Sequence, residues 1–164
     1  MSRSFDDEGY LGKRLQDVLA LATQQIAQVH AARGLVMPVE GTSTLHALAP
    51  GTRRSLTEIA RQLGQSHQLI AQRLQRLVQQ GLATKTADPN DGRRSEYQLT
   101  SLGVEQWEIL DHFMDDVAIV NRRLFEEIGC DLVAALDAMA KALKHQDYRS
   151  RFAEQFAPER LPTT

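Results

Sequence analysis

The 164-residue sequence has one cysteine, few aromatic residues and no long apolar run. A single cysteine, Cys130, excludes an intramolecular disulfide framework and is typical of a reducing compartment. No apolar run approaches the roughly 20 residues that a membrane-spanning helix needs. The first ten residues include acids where a secretory signal would have an apolar core. We therefore expect a soluble, cytoplasmic protein with no membrane partner.

Residue types that catalyse reactions or bind metals are present, but they form no recognisable pattern. The histidines are scattered along the chain, at His30, His46, His67, His112 and His145. They form no H-x-x-x-H or H-E-x-x-H pair, and Cys130 has no second thiol at ligand spacing. The sequence also contains no phosphate-binding loop and no nucleophile elbow. It therefore predicts neither an enzyme nor a bound metal or other cofactor.

The charge is unevenly distributed along the chain. The formal net charge is −2, which is unusual for a protein that binds a polyanion. Residues 51–100, however, contain eight basic and four acidic residues, so this segment has a charge of +4 and the remainder −6. Such asymmetry favours contact with nucleic acid through one segment and keeps the rest away from phosphate.

Within the basic segment, residues 55–81 have the pattern of two helices joined by a tight turn. Ser55 and Glu58 form the S-x-x-E capping box that opens a helix, and Gly64 permits the left-handed residue that ends it. Ser66 is a preferred cap for a second helix. The inward positions of this second helix recur every three or four residues, at Ile70, Leu74 and Leu77.

A two-stranded hairpin is predicted after the second helix. Residues 82–86 and 95–100 are short β-like runs, and the Asp-Pro-Asn-Asp-Gly stretch at 88–92 is dense in turn-forming residues. Arg93 and Arg94 follow that turn directly. The sequence therefore predicts a mainly α fold with a small β-hairpin wing, a winged helix-turn-helix.

The outward face of the second helix has a composition suited to DNA. Side-chain amides can pair in two places with an adenine edge, and arginine with guanine or phosphate. No acid occurs from Ser66 to Gln80, whereas solvated helix faces usually alternate both signs of charge. The outward or edge positions are His67, Gln68, Leu69, Gln72, Gln75 and Arg76. Arg53 and Arg54, before the first helix, either contact phosphate or form a solvated pair.

The segment resembles the DNA-binding domain of the MarR family of bacterial regulators. The matching motifs are the Leu63-Gly-x-Ser66 turn, the Gly81-Leu82 helix exit, the wing Asp88-Pro-x-Asp91-Gly-Arg93, and Leu99-Thr100-x-x-Gly103. The resemblance implies that Arg93 enters the minor groove, that Asp91 holds it in place, and that Arg94 belongs to the same wing. Double-stranded DNA carrying a pseudo-palindromic operator is the implied partner. The residues expected to position or read in the major groove are Ser66, His67, Gln68, Gln72 and Arg76.

Helices flank the predicted winged region, residues 35–103, on both sides. An apolar stripe within 6–33, which includes Leu11, Leu15 and Val18, predicts an N-terminal helix. Two further helices are predicted within 101–156, the second with its apolar side chains inward at Leu132, Val133, Leu136, Met139 and Leu143. These helices have more apolar surface than so small a winged domain can cover. We therefore expect one subunit of 164 residues whose terminal helices form a homodimer, as the resemblance also implies.

The sequence leaves open a ligand site and two alternatives to DNA binding. The resemblance implies a repressor that a small aromatic or anionic effector releases from DNA, with a pocket between the winged domain and the dimer helices. Candidate pocket residues are His30, Met37, His46 and Trp107. The alternative function is a winged-helix module that binds protein rather than DNA. RNA binding is disfavoured because stacking aromatic residues are missing.

Overall fold

The computed structural model describes residue 5 and residues 7–87 and 95–156 of the chain. Its α-helices are α1 (Leu11–Ala32), α2 (Thr42–Ala47), α3 (Leu56–Leu63), α4 (His67–Gln79), α5 (Ser101–Ile128), α6 (Leu132–His145) and α7 (Tyr148–Gln155). Its strands are β1 (Arg54–Ser55), β2 (Ala83–Ala87) and β3 (Ser95–Leu99). Short 3₁₀ turns precede α1 at Glu8–Tyr10 and α2 at Val39–Gly41. The predicted fold class, mainly helical with a small β-hairpin, is confirmed.

The chain divides into two compact units, residues 1–115 and 116–164, with the boundary inside α5. The first unit contains the helix-turn-helix and the sheet. Its core consists of aliphatic side chains with at most 1% of their surface exposed: Leu45, Leu48, Ile59, Ile70, Leu74, Leu77, Leu82 and Leu110. Within the described part of the chain, no helix is long and apolar enough to cross a membrane.

Side-chain caps fix the starts of both helices of the helix-turn-helix. The Ser55 hydroxyl accepts from the Glu58 amide at 3.3 Å, and the Glu58 carboxylate accepts from the Ser55 amide at 2.7 Å. The carboxylate also accepts from the Ser55 hydroxyl, and the two bonds that it accepts, from the Ser55 amide and hydroxyl, lower the pKa of Glu58. Gly64 ends α3 with φ +61°, and the Ser66 hydroxyl caps α4 by accepting from the Leu69 amide at 3.2 Å. The predicted capping box, turn and second cap are confirmed.

The sheet is antiparallel, with strand order β1-β3-β2. The β2–β3 hairpin pairs Ala83 with Leu99 and Ala87 with Ser95. Both hairpin strands agree with the sequence prediction to within a residue at each end. β1 was not predicted because a strand of two residues is too short to show an alternation of apolar and polar side chains. It is defined only by its pairing with β3.

α5 begins at a cap supplied by Thr100. Its hydroxyl accepts from the Gly103 amide at 3.0 Å and donates to the Gly81 carbonyl at 2.6 Å, so one side chain joins the end of α4 to the start of α5. Asp131 caps α6 in the same way, accepting from the Ala134 amide at 3.0 Å. These caps fix the starts of α5 and α6, the two helices predicted within 101–156.

The expectation that the apolar side chains of α6 point inward is not met in the single chain. Val133 has 57% of its surface exposed, and Leu136 is also exposed. The α1 stripe is exposed as well, including Leu11, Leu15 and Val18. Helical spacing correctly groups these residues on one face, but it does not tell whether the same chain covers that face.

Candidate nucleic-acid interface

The α4 helix has two chemically different faces. Ile70, Leu74 and Leu77 are buried in the first unit. The predicted DNA-contacting residues of this region are exposed without exception: Ser66, His67, Gln68, Gln72 and Arg76. The structure therefore brings these five residues to solvent on one element, although their contacts with DNA remain a prediction.

The electrostatic character of this face is positive. From Ile59 to Ala87 the sequence contains three arginines and one lysine and no acid. Arg61 and Arg76 are exposed on α3 and α4, and Lys85 is exposed on β2. A helix that enters the groove of a polyanion requires such a surface, because an acid there would repel phosphate.

Arg73 was missed by the sequence analysis. Its guanidinium Nη1 donates to Gln65 Oε1 at 2.6 Å, which ties the middle of α4 to the turn before it. Arg73 is half-buried and lies at the edge of the outward face. The contact joins residues eight positions apart across a turn, so no helical period predicts it.

Arg53 and Arg54 have partners within the protein. Arg53 Nε donates to Gln98 Oε1 at 3.1 Å, and Arg54 Nη1 donates to Gln62 Oε1 at 3.2 Å. The phosphate contact considered above is therefore not needed to explain either side chain.

The predicted wing residues Asp91, Arg93 and Arg94 lie outside the described residues. The strands on either side of them are described, and pair as far as Ala87 and Ser95. Their proposed role in the minor groove therefore rests on the sequence alone.

Of the four predicted pocket residues, the structure brings His46 and Trp107 into contact, while His30 and Met37 have other neighbours. His46 and Trp107 contact each other, with ring centroids 5.0 Å apart, and Trp107 Nε1 donates to the His46 carbonyl at 3.2 Å. His30 is instead buried against Phe113, with ring centroids 5.9 Å apart, and burial lowers the pKa of His30. Met37 is buried close to Gly41.

His46 and Trp107 line a groove of about 340 Å³ between α2, α3 and α5. At the edge of this groove, His46 Nε2 is hydrogen-bonded to Asp111 Oδ1 at 3.0 Å. The full lining is Ser43, His46, Ala47, Gln62, Leu63, Trp107 and Asp111. Its size is at the lower end of the range for small-molecule sites. Among the described residues, no group of three or more His, Cys, Asp or Glu side chains is placed to hold a metal ion.

Comparison with known proteins points to one family. A family model described as the MarR family matches residues 42–94, the stretch from the start of α2 to the residue before β3. No curated protein sequence matches the chain.

Three solved structures illustrate the likeness in fold. A mutant MarR from E. coli complexed with operator DNA has a TM-score of 0.68 and 20% identity, covering 87% of this chain and 99% of that one. The S. aureus MepR–DNA complex has a TM-score of 0.64 and 22% identity, covering 84% of this chain and 98% of that one. The PcaV transcriptional regulator from Streptomyces coelicolor, in complex with its natural ligand, has a TM-score of 0.62 and 22% identity. The match covers 89% of this chain and 98% of that one.

Proposed function

Because this chain belongs to the MarR family of winged-helix transcriptional regulators, we propose that it is a dimeric, sequence-specific DNA-binding repressor that a small ligand releases from its operator. It acts in the cytoplasm, as a regulator and not as an enzyme. The observation that carries the proposal is the exposed, acid-free face of α4, opposite a fully buried aliphatic face.

The major groove is read by the N-terminal half of α4. Gln68 and Gln72 are exposed one helical turn apart, so their amides face the same side and can each pair with an adenine edge. His67 adds a ring donor or acceptor at the helix start, and Arg76 reaches a phosphate or a guanine one turn further on. Ser66 positions the helix through its cap.

The wing supplies the second contact. Arg93 enters the minor groove, which attracts arginine where it is narrow. The Asp91 carboxylate orients the guanidinium, and Arg94 adds positive charge beside it. This step is supported by the sequence motif and by the β2–β3 hairpin that carries it.

A second copy of the chain covers the apolar faces that the single chain leaves exposed. On α1 they include Leu19, with 67% of its surface exposed, and on α6 they include Val133. Segments 6–33 and 101–156 are thus the dimerisation helices, and residues 35–103 the DNA-binding region of each subunit. Twofold symmetry places two α4 helices in successive major grooves, about 34–36 Å apart on a pseudo-palindromic operator.

The effector occupies the groove at His46 and Trp107. Among the described residues that line it, none is Arg or Lys, and Asp111 brings a carboxylate to its edge. Of an aromatic and an anionic effector, this lining favours an aromatic one without a carboxylate, which can stack on the indole. His30 and Met37 contribute packing near α1 and α2 rather than ligand contacts.

The experiment that tests the proposal is selection of duplexes from a random DNA pool by the purified protein, repeated across a salt series. We expect a pseudo-palindrome to be enriched and its affinity to fall steeply as salt rises, because binding releases counterions from phosphate. The variant Gln68→Ala/Gln72→Ala should lose the enriched sequence. Gln24→Ala, the same kind of change on an exposed glutamine of α1, should keep it.

Two results would contradict the proposal. Retention of DNA without an enriched sequence would leave only a basic surface. Failure to bind any duplex at low salt would favour the alternative, a winged-helix module that binds protein.

A further inference from the structure

A buried glutamine holds the main chain of the connector between α1 and α2, residues 33–41. Gln106 on α5 has 5% of its surface exposed. Its Oε1 accepts from the Val36 amide at 2.8 Å, and its Nε2 donates to the Gly34 carbonyl at 3.0 Å. One side chain therefore pairs with the connector as a neighbouring β-strand would.

The orientation of the Gln106 amide is determined by these two partners. Its oxygen faces an N–H and its nitrogen faces a carbonyl, so the reversed amide would oppose like groups at both ends. Leu35, between the two bonded residues, is buried. Displacing the connector would leave buried polar atoms without partners, which is costly in an apolar interior.

A second glutamine bonds the same connector from the DNA-reading helix. Gln80 is the C-cap residue that follows α4, and its Nε2 donates to the Val36 carbonyl at 3.3 Å. The Val36 amide thus donates to a side chain of α5, and the Val36 carbonyl accepts from the residue that caps α4. Its side chain has 56% of its surface exposed, so it is the main chain of Val36 that links the two helices.

We infer that Gln106, Val36 and Gln80 form a coupling element that sets the C-terminal end of α4 relative to α5 and the end of α1. This inference rests on the proposed DNA-binding function. Gln80 and Gln106 are positioning residues, because both act on DNA through the main chain of Val36. The hydrogen bonds of Val36 to Gln106 and Gln80 would transmit a displacement at the end of α1 to the end of α4. A connector without these bonds would absorb the displacement.

The first test uses the free protein and needs no DNA. Gln80→Met keeps the length of an exposed side chain but removes the donor to Val36. We expect hydrogen exchange at the Val36 amide to become several-fold faster, while exchange at the core residue Ile59 stays unchanged. Unchanged exchange at Val36 would overturn the coupling, since Gln80 would then have no influence on the bond between Val36 and Gln106.

The second test measures binding to the selected operator and to an unrelated duplex by fluorescence anisotropy. Gln80→Met and Gln106→Met should each weaken operator binding by about five-fold or more and leave binding to the unrelated duplex unchanged. The double variant should lose little more than Gln106→Met alone, because both residues act on one peptide segment. Gln24→Met on α1 is the matched control. Folding of each variant is checked by urea denaturation.

The outcomes separate this inference from the proposed function. Additive losses, or unchanged operator affinity in both single variants, would overturn the positioning role while leaving a DNA-binding protein. If the wild-type protein selects no operator, the proposed function fails instead. The exchange rate at Val36 then still decides whether the end of α4 is coupled to the connector.

Discussion

Gly103 lies directly against the main-chain carbonyl of Leu82. A Cβ built at residue 103 would be 1.9 Å from the Leu82 oxygen and 3.3 Å from the Leu99 Cβ. The same oxygen accepts from the Thr100 amide at 3.0 Å. The first turn of α5 therefore packs backbone to backbone on Leu82, the residue before β2. A side chain at residue 103 cannot be accommodated without moving one of the two.

We predict that Gly103→Ala destabilises the protein by about 1–3 kcal/mol, the usual cost of overpacking a close contact. Urea denaturation followed by circular dichroism measures the change. Gly12→Ala is the matched control, because a Cβ at Gly12 on α1 meets nothing within 4 Å. It should be neutral or slightly stabilising, since alanine is the better helix former. Equal stability of the two variants would contradict the packing described for Gly103.

The local elements of the fold were predictable because each is specified within a few residues. Ser55 and Glu58 specify the start of α3, Gly64 its end and Ser66 the start of α4, and the structure has all three. The motif that contains Gly103 was visible in the sequence too. The reason for a glycine at residue 103 was not visible, because it is the contact with Leu82, 21 positions earlier.

What the sequence did not reveal are contacts between residues far apart along the chain. The bonds from Gln106 to the connector span 70 and 72 positions, and β1 exists only through its partner β3. A glutamine has no periodic signature, so nothing distinguished the buried Gln106 from the exposed glutamines of α4. The predicted pocket also joined residues far apart along the chain: His46 and Trp107 line one groove, whereas His30 packs against Phe113. Ligand binding by His30, Met37, His46 and Trp107 stays a prediction.

Stability should depend on pH through His30. Burial lowers the pKa of His30 below its ordinary value of 6.5. Between the two values the unfolded chain binds a proton that the folded chain does not, so the free energy of unfolding decreases as pH falls below about 6.5. We predict that His30→Gln loses less stability than the wild type between pH 7.5 and 5.5, as measured by urea denaturation at each pH.

His112 is the control for that measurement because its shift has the opposite sign. Its hydrogen bond to the Glu108 carbonyl, assisted by nearby acids, raises the pKa of His112. Its contribution is therefore present at low pH and lost as pH rises through the folded value, so His112→Gln should not reproduce the His30→Gln profile. Parallel profiles for wild type and His30→Gln would show that burial of His30 has no such effect.

Removing the wing arginine should weaken binding to DNA without unfolding the protein. We predict that Arg93→Ala weakens binding to the selected operator by about 1–3 kcal/mol, because a guanidinium in the minor groove is lost. Arg149→Ala, the same change on an exposed residue of α7, should leave the affinity unchanged. Anisotropy titrations at one salt concentration compare the two. Equal operator affinity for wild type and Arg93→Ala would show that the wing role is wrong.

Trp107 is the only tryptophan of the chain, so its fluorescence reports directly on the groove that it lines. We predict that neutral aromatic compounds that change the Trp107 emission also lower operator affinity, because binding at one site is coupled to binding at the other. Ser43→Phe should fill the groove and abolish the response. A compound that changes the emission equally in the presence and absence of operator, with no effect on affinity, would contradict the proposed effector role.

The exposed face of α1 gives the sharpest test of assembly. Leu19 lies beside the apolar stripe of α1, next to Val18, with 67% of its surface exposed, and a second copy would bury it. We predict that Leu19→Glu shifts the protein from dimer to monomer in light scattering coupled to size exclusion, because a buried, unpaired carboxylate is strongly unfavourable. Gln24→Glu adds the same charge on the opposite side of α1 and should remain dimeric. A monomeric wild type, or a dimer unaffected by Leu19→Glu, would mean that this face of α1 is not the interface.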